Sequence, residues 1–340
     1  MSATGALPFE LEALEAWLER AGIASAPVVV QRIGDGHSNL TYAVSAGGRS
    51  VVLRRPPPRP FPPGAYDVLR EARILQALAG SDVPVPTVLG VAGEGEAMDV
   101  PFYIMEHLEG EVCTSTLPAG LDDAEQRRRV GEALVDALGA LHAVDWRARG
   151  LEDLGRPDGF LKRQLTRLPR IIADADGSLP AEFAELRDEL AGSMPESGPP
   201  ALLHGDLRLG NVILPRQAPA RIVGVLDWEL AAIGDPLADL AYTLATYAAP
   251  GEPSHALTEL STATLADGFP SREELAARYA RASGRDVSEL PWYEALQLFK
   301  LGVLFEYSRR RGEDPYYADP RLVEDLLAAA RGALSTERGC

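Results

Sequence analysis

The 340-residue chain carries 50 acidic against 33 basic side chains, a formal net charge of −17 at pH 7. That balance excludes general nucleic-acid binding, which needs a basic surface, while 46% hydrophobic and 24% charged residues describe a globular chain rather than a disordered one. Two cysteines, Cys113 and Cys340, supply neither a disulfide framework nor zinc spacing. The start, MSATGALPFELEAL, lacks a basic region followed by an apolar core, and no apolar run reaches membrane-spanning length. A cytoplasmic protein without a membrane partner is expected, long enough for two domains or lobes.

In chain order, Leu11, Leu14, Trp17 and Leu18 recur at helical spacing and predict an opening amphipathic helix over 9–20. Three strands follow, PVVVQRIG, NLTYAVSA and RSVVLRRP, with GDGHS and AGG as turns. The cluster PPPRPFPPG cannot continue a strand and predicts a loop. In AYDVLREARILQALAG, Leu69, Ala72, Leu75 and Leu78 predict a helix, and VPVPTVLGVAG and PFYIMEHLEG two more strands. Beyond Gly110 the character becomes helical. AEQRRRVGEALVDALGALHAVDW bears a strong apolar stripe, and further helices are expected around 181–193, 236–248, 272–283, 291–311 and 320–334. The interruption is LLHGDLRLGNVIL and a predicted strand, RIVGVLDW, after it.

That interruption carries the chemistry. Asp206 and Asn211 lie five residues apart in a turn-rich segment, and Asp227 follows Asn211 by sixteen. Magnesium takes hard oxygen ligands, one or two carboxylates beside phosphate oxygens and water. One carboxylate and the Asn carbonyl can hold it, leaving Asp206 to accept a hydroxyl proton, the division of labour of a phosphoryl-transfer catalytic loop. The bland alternative is a β-hairpin whose polar residues satisfy a turn. A matching N-terminal half weighs against it. In IGDGHSNLTYAV, Gly34 and Gly36 let backbone N–H groups of a turn that includes His37, Ser38 and Asn39 approach phosphates. The strand VVLRR offers Arg54 as a phosphate cation, and Glu71, seventeen residues on, as its partner.

These stretches, above all HGDLRLGNVIL followed by VLDWELAAIGDPLADLAY, resemble the aminoglycoside phosphotransferase/choline kinase superfamily over roughly residues 28–310. The similarity is strongest to the branch related to phosphotransferase-like domains fused to acyl-CoA dehydrogenases. The resemblance implies an α+β, bilobal protein-kinase-like fold, with a β-rich N-terminal lobe over 1–107 and a mainly helical C-terminal lobe over 108–340. It implies Asp206 as catalytic base, Asn211 and Asp227 as Mg2+ ligands, and Arg54 on the phosphates of ATP (or GTP) with Glu71 beside it. Glu106, His107 and Leu108 would form the hinge that meets the purine. His204 would brace the loop, and Asp239 resembles the superfamily's buried anchor for it. Glu229 would reach a second metal, and Arg208 the transferred phosphoryl group or an anionic substrate.

An N-cap role explains Asp235, before Pro236, and structural roles are expected for His107, His142 and His255. The expected activity is phosphoryl transfer to a hydroxyl of a small molecule. The mixed charges of LFKLGVLFEYSRRRGEDPYY suit a neutral or anionic acceptor such as a hydroxyacyl compound or hydroxy acid. An aminoglycoside-type antibiotic kinase and a non-catalytic nucleotide-binding module are the alternatives. The sequence leaves oligomeric state open.

Overall fold

A computed structural model describes residues 7–34, 38–61, 66–252 and 255–337. The chain forms two compact units, Met1–Glu109 with Gly224–Glu229, and Gly110–Val223 with Leu230–Cys340. The expected division after residue 107 therefore differs in two respects: it falls after Glu109, and the segment carrying Asp227 groups with the first unit. The reason is local bonding, since the Val225 N–H donates to the Pro84 carbonyl at 2.7 Å and Asp227 pairs with Arg54.

The first unit is a five-stranded antiparallel sheet with a helix on each face. Its elements are α1 (Leu11–Arg20), β1 (Val29–Ile33), β2 (Leu40–Ala46), β3 (Arg49–Arg55), α2 (Val68–Leu78), β4 (Val88–Ala92) and β5 (Phe102–Glu106), in sheet order β1-β2-β3-β5-β4. Gly47 and Gly48, at φ 56° and 83°, make the two-residue turn between β2 and β3, a backbone that side chains with a Cβ resist. Strand alternation then sorts the side chains. Tyr42, Val44, Val51, Leu53, Phe102 and Ile104 bury against Leu14, Trp17 and Leu18 of α1. The opposite parity places Arg54 and Tyr103 on the α2 side, where both reach Glu71. Asp67 caps α2 by accepting the Arg70 N–H at 3.0 Å.

In the second unit come β6 (Glu111–Val112), α3 (Ala124–His142), α4 (Phe160–Arg167), α5 (Ala181–Gly192), β7 (Ala201–Leu203) and β8 (Val212–Leu214). After β9 (Gly224–Val225), which belongs to the first unit, the second resumes with β10 (Ala232–Gly234), α6 (Pro236–Ala245), α7 (Arg272–Ser283), α8 (Leu290–Arg311) and α9 (Arg321–Glu337). The long α8 is the hub on which α5, α6 and α9 pack, with Trp292, Leu296, Phe299 and Val303 in the core. Asp235 caps α6 by accepting the Leu237 N–H and also accepts the Tyr293 hydroxyl at 2.8 Å, tying α6 to α8.

One expected strand is corrected. β7 pairs with β10 and β8 with β6, so the bland alternative of a hairpin over LLHGDLRLGNVIL does not hold. RIVGVLDW is a strand only at Gly224–Val225, because Asp227 adopts φ 64°, a left-handed backbone that ends extended structure. Helix α4 was not expected; it is eight residues long with only Phe160, Leu161 and Leu165 buried, too short for a periodic signal. Among the described residues no helix is long and apolar enough to cross a membrane.

Leu53 is fully buried on the α1 face of the sheet. Leu53→Ala is expected to destabilise the first unit by about 2–5 kcal/mol, read as a lower urea midpoint; an unchanged midpoint would show that this face is not its core.

Candidate active site

The first unit gathers an ion-pair cluster around Arg54. Its Nε donates to Glu71 Oε2 at 2.7 Å, its Nη2 to Asp227 Oδ1 at 2.6 Å, and its Nη1 to Thr41 Oγ1 at 3.3 Å. Glu71 also accepts Asn39 Nδ2 and, at 3.3 Å, the Tyr103 hydroxyl. Burial alone would lower the guanidinium's pKa, but Glu71, Tyr103 and Asp227 outweigh it and hold Arg54 above its ordinary value. Burial pushes the Glu71 carboxyl up, against the pull of Arg54. The planar fork bridges two carboxylates at once, which a Lys ammonium does less well. The neighbouring Arg55 has the other parity: it is buried on the α1 side, bonded to the Pro8 and Pro56 carbonyls.

Around this cluster, the Ser38 hydroxyl donates to Glu229 Oε2, and Arg70 Nη1 donates to the Glu229 carbonyl at 3.2 Å. Gly34 follows β1 with φ 75°. Gly36 and His37 lie outside the described residues. In the segment expected to form a hinge, the Glu106 N–H donates to the Thr87 carbonyl at 2.8 Å. His107 Nδ1 lies 4.0 Å from Glu109 Oε1, and Leu108 is half-buried.

The second unit frames Asp206. Asp239, buried on α6, accepts the backbone N–H of His204 at 2.7 Å and of Gly205 at 2.8 Å. Its Oδ2 also lies 3.3 Å from His142 Nε2, while His142 Nδ1 meets the Tyr279 hydroxyl at 2.6 Å. Burial alone would raise the Asp239 pKa, but the bonds from His142 and His204 more than offset it, so Asp239 stays ionised. Gly205 has φ 85°, and a Cβ there would come within 2.7 Å of the Leu230 carbonyl oxygen, so only glycine fits this turn. The His204 ring, fully buried, accepts the Asp206 N–H at Nδ1, 3.2 Å away. Thr243 Oγ1 holds the Leu207 carbonyl at 2.9 Å.

This frame presents the Asp206 carboxylate with defined partners. Asn211 Nδ2 donates to Oδ2 at 2.7 Å and to the Asp206 carbonyl at 2.7 Å; the Tyr242 hydroxyl donates to Oδ1. Arg208 Nε lies 3.4 Å from Oδ1. Burial and the Asp206 charge push the Tyr242 phenol far above its ordinary pKa, so it remains a donor. Tyr242 was missed from sequence, although it stands three residues after Asp239 and so shares a helix face with it. His142 and Tyr279 were missed as supports of Asp239 because only the packing of α3 and α7 brings them there.

Comparison with known proteins follows from this geometry. The chain is 33% identical to acyl-CoA dehydrogenase family member 11 of Rattus norvegicus over 96% of this chain and 44% of that protein. It is 30% identical to family member 10 of Mus musculus over 83% and 26%, so the chain spans less than half the length of these relatives. Among solved structures, a putative aminoglycoside phosphotransferase from Ralstonia eutropha superposes with TM-score 0.78 at 26% identity, over 95% of this chain and 99% of that one. Aminoglycoside phosphotransferase APH(4)-Ia, in complex with AMP-PNP and hygromycin B, shares the fold at TM-score 0.60 and 19% identity, over 94% and 98%. The phosphotransferase enzyme family model matches residues 29–296. The fold is α+β and protein-kinase-like, and the chain belongs to the phosphotransferase enzyme family.

Proposed function

We propose that this phosphotransferase moves the γ-phosphoryl group of ATP to a hydroxyl of a small molecule, with Asp206 as the general base. The observation that carries the reading is the Asp206 carboxylate, fixed by Tyr242, Asn211 and Arg208 on a loop whose backbone Asp239 pins. The acceptor oxygen attacks the γ-phosphorus, its proton passes to Asp206, and the bond from phosphorus to the bridging β–γ oxygen breaks to release ADP. A base contributes by holding the hydroxyl in line and taking its proton as the new bond forms.

Mg2+ is proposed from the chemistry of the donors, each taken within its own unit. Asn211 spends Nδ2 on Asp206, which keeps its carbonyl oxygen for a hard cation, and Asp227 engages Arg54 through one oxygen, keeping the other. When bound, the ion neutralises phosphate charge. Arg54 is the cation assigned to the nucleotide phosphates, steadied by Glu71, with Ser38, Asn39 and Gly34 in the adjoining turn. Nucleotide binding is supported by the related fold that holds AMP-PNP. Glu229 is committed to Ser38, which supports a positioning role there over a second-metal role.

For the acceptor, the relatives named as acyl-CoA dehydrogenases support a hydroxyacyl compound or hydroxy acid over a polycationic antibiotic. A non-catalytic module is disfavoured because Asp206, Asn211 and Asp227 are all present, and Arg54 forms the ion pair with Glu71.

Two substitutions test the reading. Asp206→Ala is expected to lower phosphoryl transfer by roughly 10²–10⁴-fold while Mg–ATP binding, followed by calorimetry, persists; wild-type turnover in that variant would remove Asp206 as the base. Tyr242→Phe takes away one hydrogen bond to a charged carboxylate, and kcat is expected to fall roughly tenfold with nucleotide KM unchanged. Equal kcat in the two proteins would mean that Tyr242 does not position the base.

A further inference from the structure

The second unit holds a cavity of about 890 Å3 walled by α6, α7, α8 and α9. That volume lies within the range of roughly 300–1,000 Å3 that small-molecule sites occupy. Among the described residues that line it, none belongs to the Asp206 loop. Ala241 and Leu244, three apart on α6, share a face toward the cavity, whereas Tyr242 between them turns to Asp206. The floor is apolar, with Leu244 and Leu298 buried. Along α9 only small side chains meet the cavity at Ala328, Ala329, Gly332 and Ala333, which keeps helices that would otherwise close-pack from filling it.

The walls are charged unevenly. Among the described residues four carboxylates line the cavity, Glu252, Glu273, Glu294 and Asp325, against one guanidinium, Arg272. Arg272 is already engaged: Nε donates to the Tyr247 carbonyl at 2.8 Å, Nη1 pairs with Glu252 at 2.7 Å, and Nη2 is fully buried. Glu294, half-buried on α8, stands 3.9 Å from the same Nη1 and accepts no hydrogen bond among the described residues. Burial pushes its carboxyl up against the pull of Arg272, and Glu252 and Glu273 push the same way. Burial and Arg272 draw His255 down to about 4, so its ring adds no charge at neutral pH. Glu273 and Asp325 are exposed at the rim.

We propose that this cavity is a second ligand site, for an amphiphilic organic cation whose ammonium meets Glu294 and whose hydrocarbon part lies on Leu244, Leu298 and Ala329. A cation there supplies the partner that the half-buried carboxylate lacks and offsets its desolvation. The carboxylates at the rim draw it in. The same charges repel an anion, so the hydroxy acids proposed above as acceptors are not ligands of this cavity. The site stands apart from the phosphotransferase reading and does not depend on it.

Calorimetry on the full chain without nucleotide, at about 0.15 M salt to screen diffuse attraction, tests the site with three six-carbon probes: hexylammonium, 1-hexanol and hexanoate. Hexylammonium is expected to bind one per chain, at least roughly tenfold more tightly than the other two. Glu294→Gln should weaken it roughly tenfold, Ala329→Leu should block it by filling the cavity, and Asp206→Ala should leave it unchanged. Thermal melts show that each variant is folded; should Glu294→Gln fail to fold, Ala329→Leu carries the test. Equal binding of the three probes, tighter binding of hexanoate, or no binding would overturn the proposal. So would hexylammonium binding that ignores either cavity variant, or that is lost in Asp206→Ala, since the cation would then sit elsewhere.

Discussion

The second unit depends on one buried carboxylate. Asp239 takes two successive backbone N–H groups, from His204 and Gly205, and so decides where the next residue, Asp206, stands. A carboxylate removed from water costs several kcal/mol unless its oxygens are bonded. Here the same bonds that satisfy Asp239 also shape the loop. The relay from Tyr279 through His142 completes the set and keeps the charge on Asp239. Its lowered pKa gives the linkage sign: the contribution is present above the ordinary carboxylate range and is lost as pH falls through the lowered value.

The first unit solves a related problem with opposite emphasis. Arg54 is mostly buried and balanced by two carboxylates, Glu71 from α2 and Asp227 from the segment after β9. Strand parity decides which arginine of VVLRR does this. Arg54 points to α2, while Arg55 points to the α1 side and ties down the chain near Pro8. Asp227 reaches its partner from a left-handed backbone that a non-glycine residue adopts only at a cost, the kind of strain that collects at functional positions.

Much of this was legible in the sequence because it is local. Period-2 alternation and the AGG turn located β2 and β3, and helical stripes located α1, α2, α3 and the helices near the C-terminus. The spacing of Asp206 and Asn211 alone read as a hairpin; Arg54, Glu71 and Asp227 tipped it toward chemistry, and β7 pairs with β10 instead of β8. What stayed hidden depends on packing. No spacing rule brings Tyr279 of α7 to His142 of α3. The strand expected over RIVGVLDW failed because apolar content reports burial and not backbone conformation, and Asp227 turns the chain out of extension.

The account stands on Asp206 accepting a proton from a hydroxyl as a phosphoryl group arrives. Phosphorus NMR of the protein with Mg–ATP and a pool of hydroxy acids and hydroxyacyl thioesters tests this most directly. The account predicts a new phosphate-monoester resonance that grows in step with ADP. ATP that binds without turnover, or turnover that yields only ADP and inorganic phosphate, would contradict it.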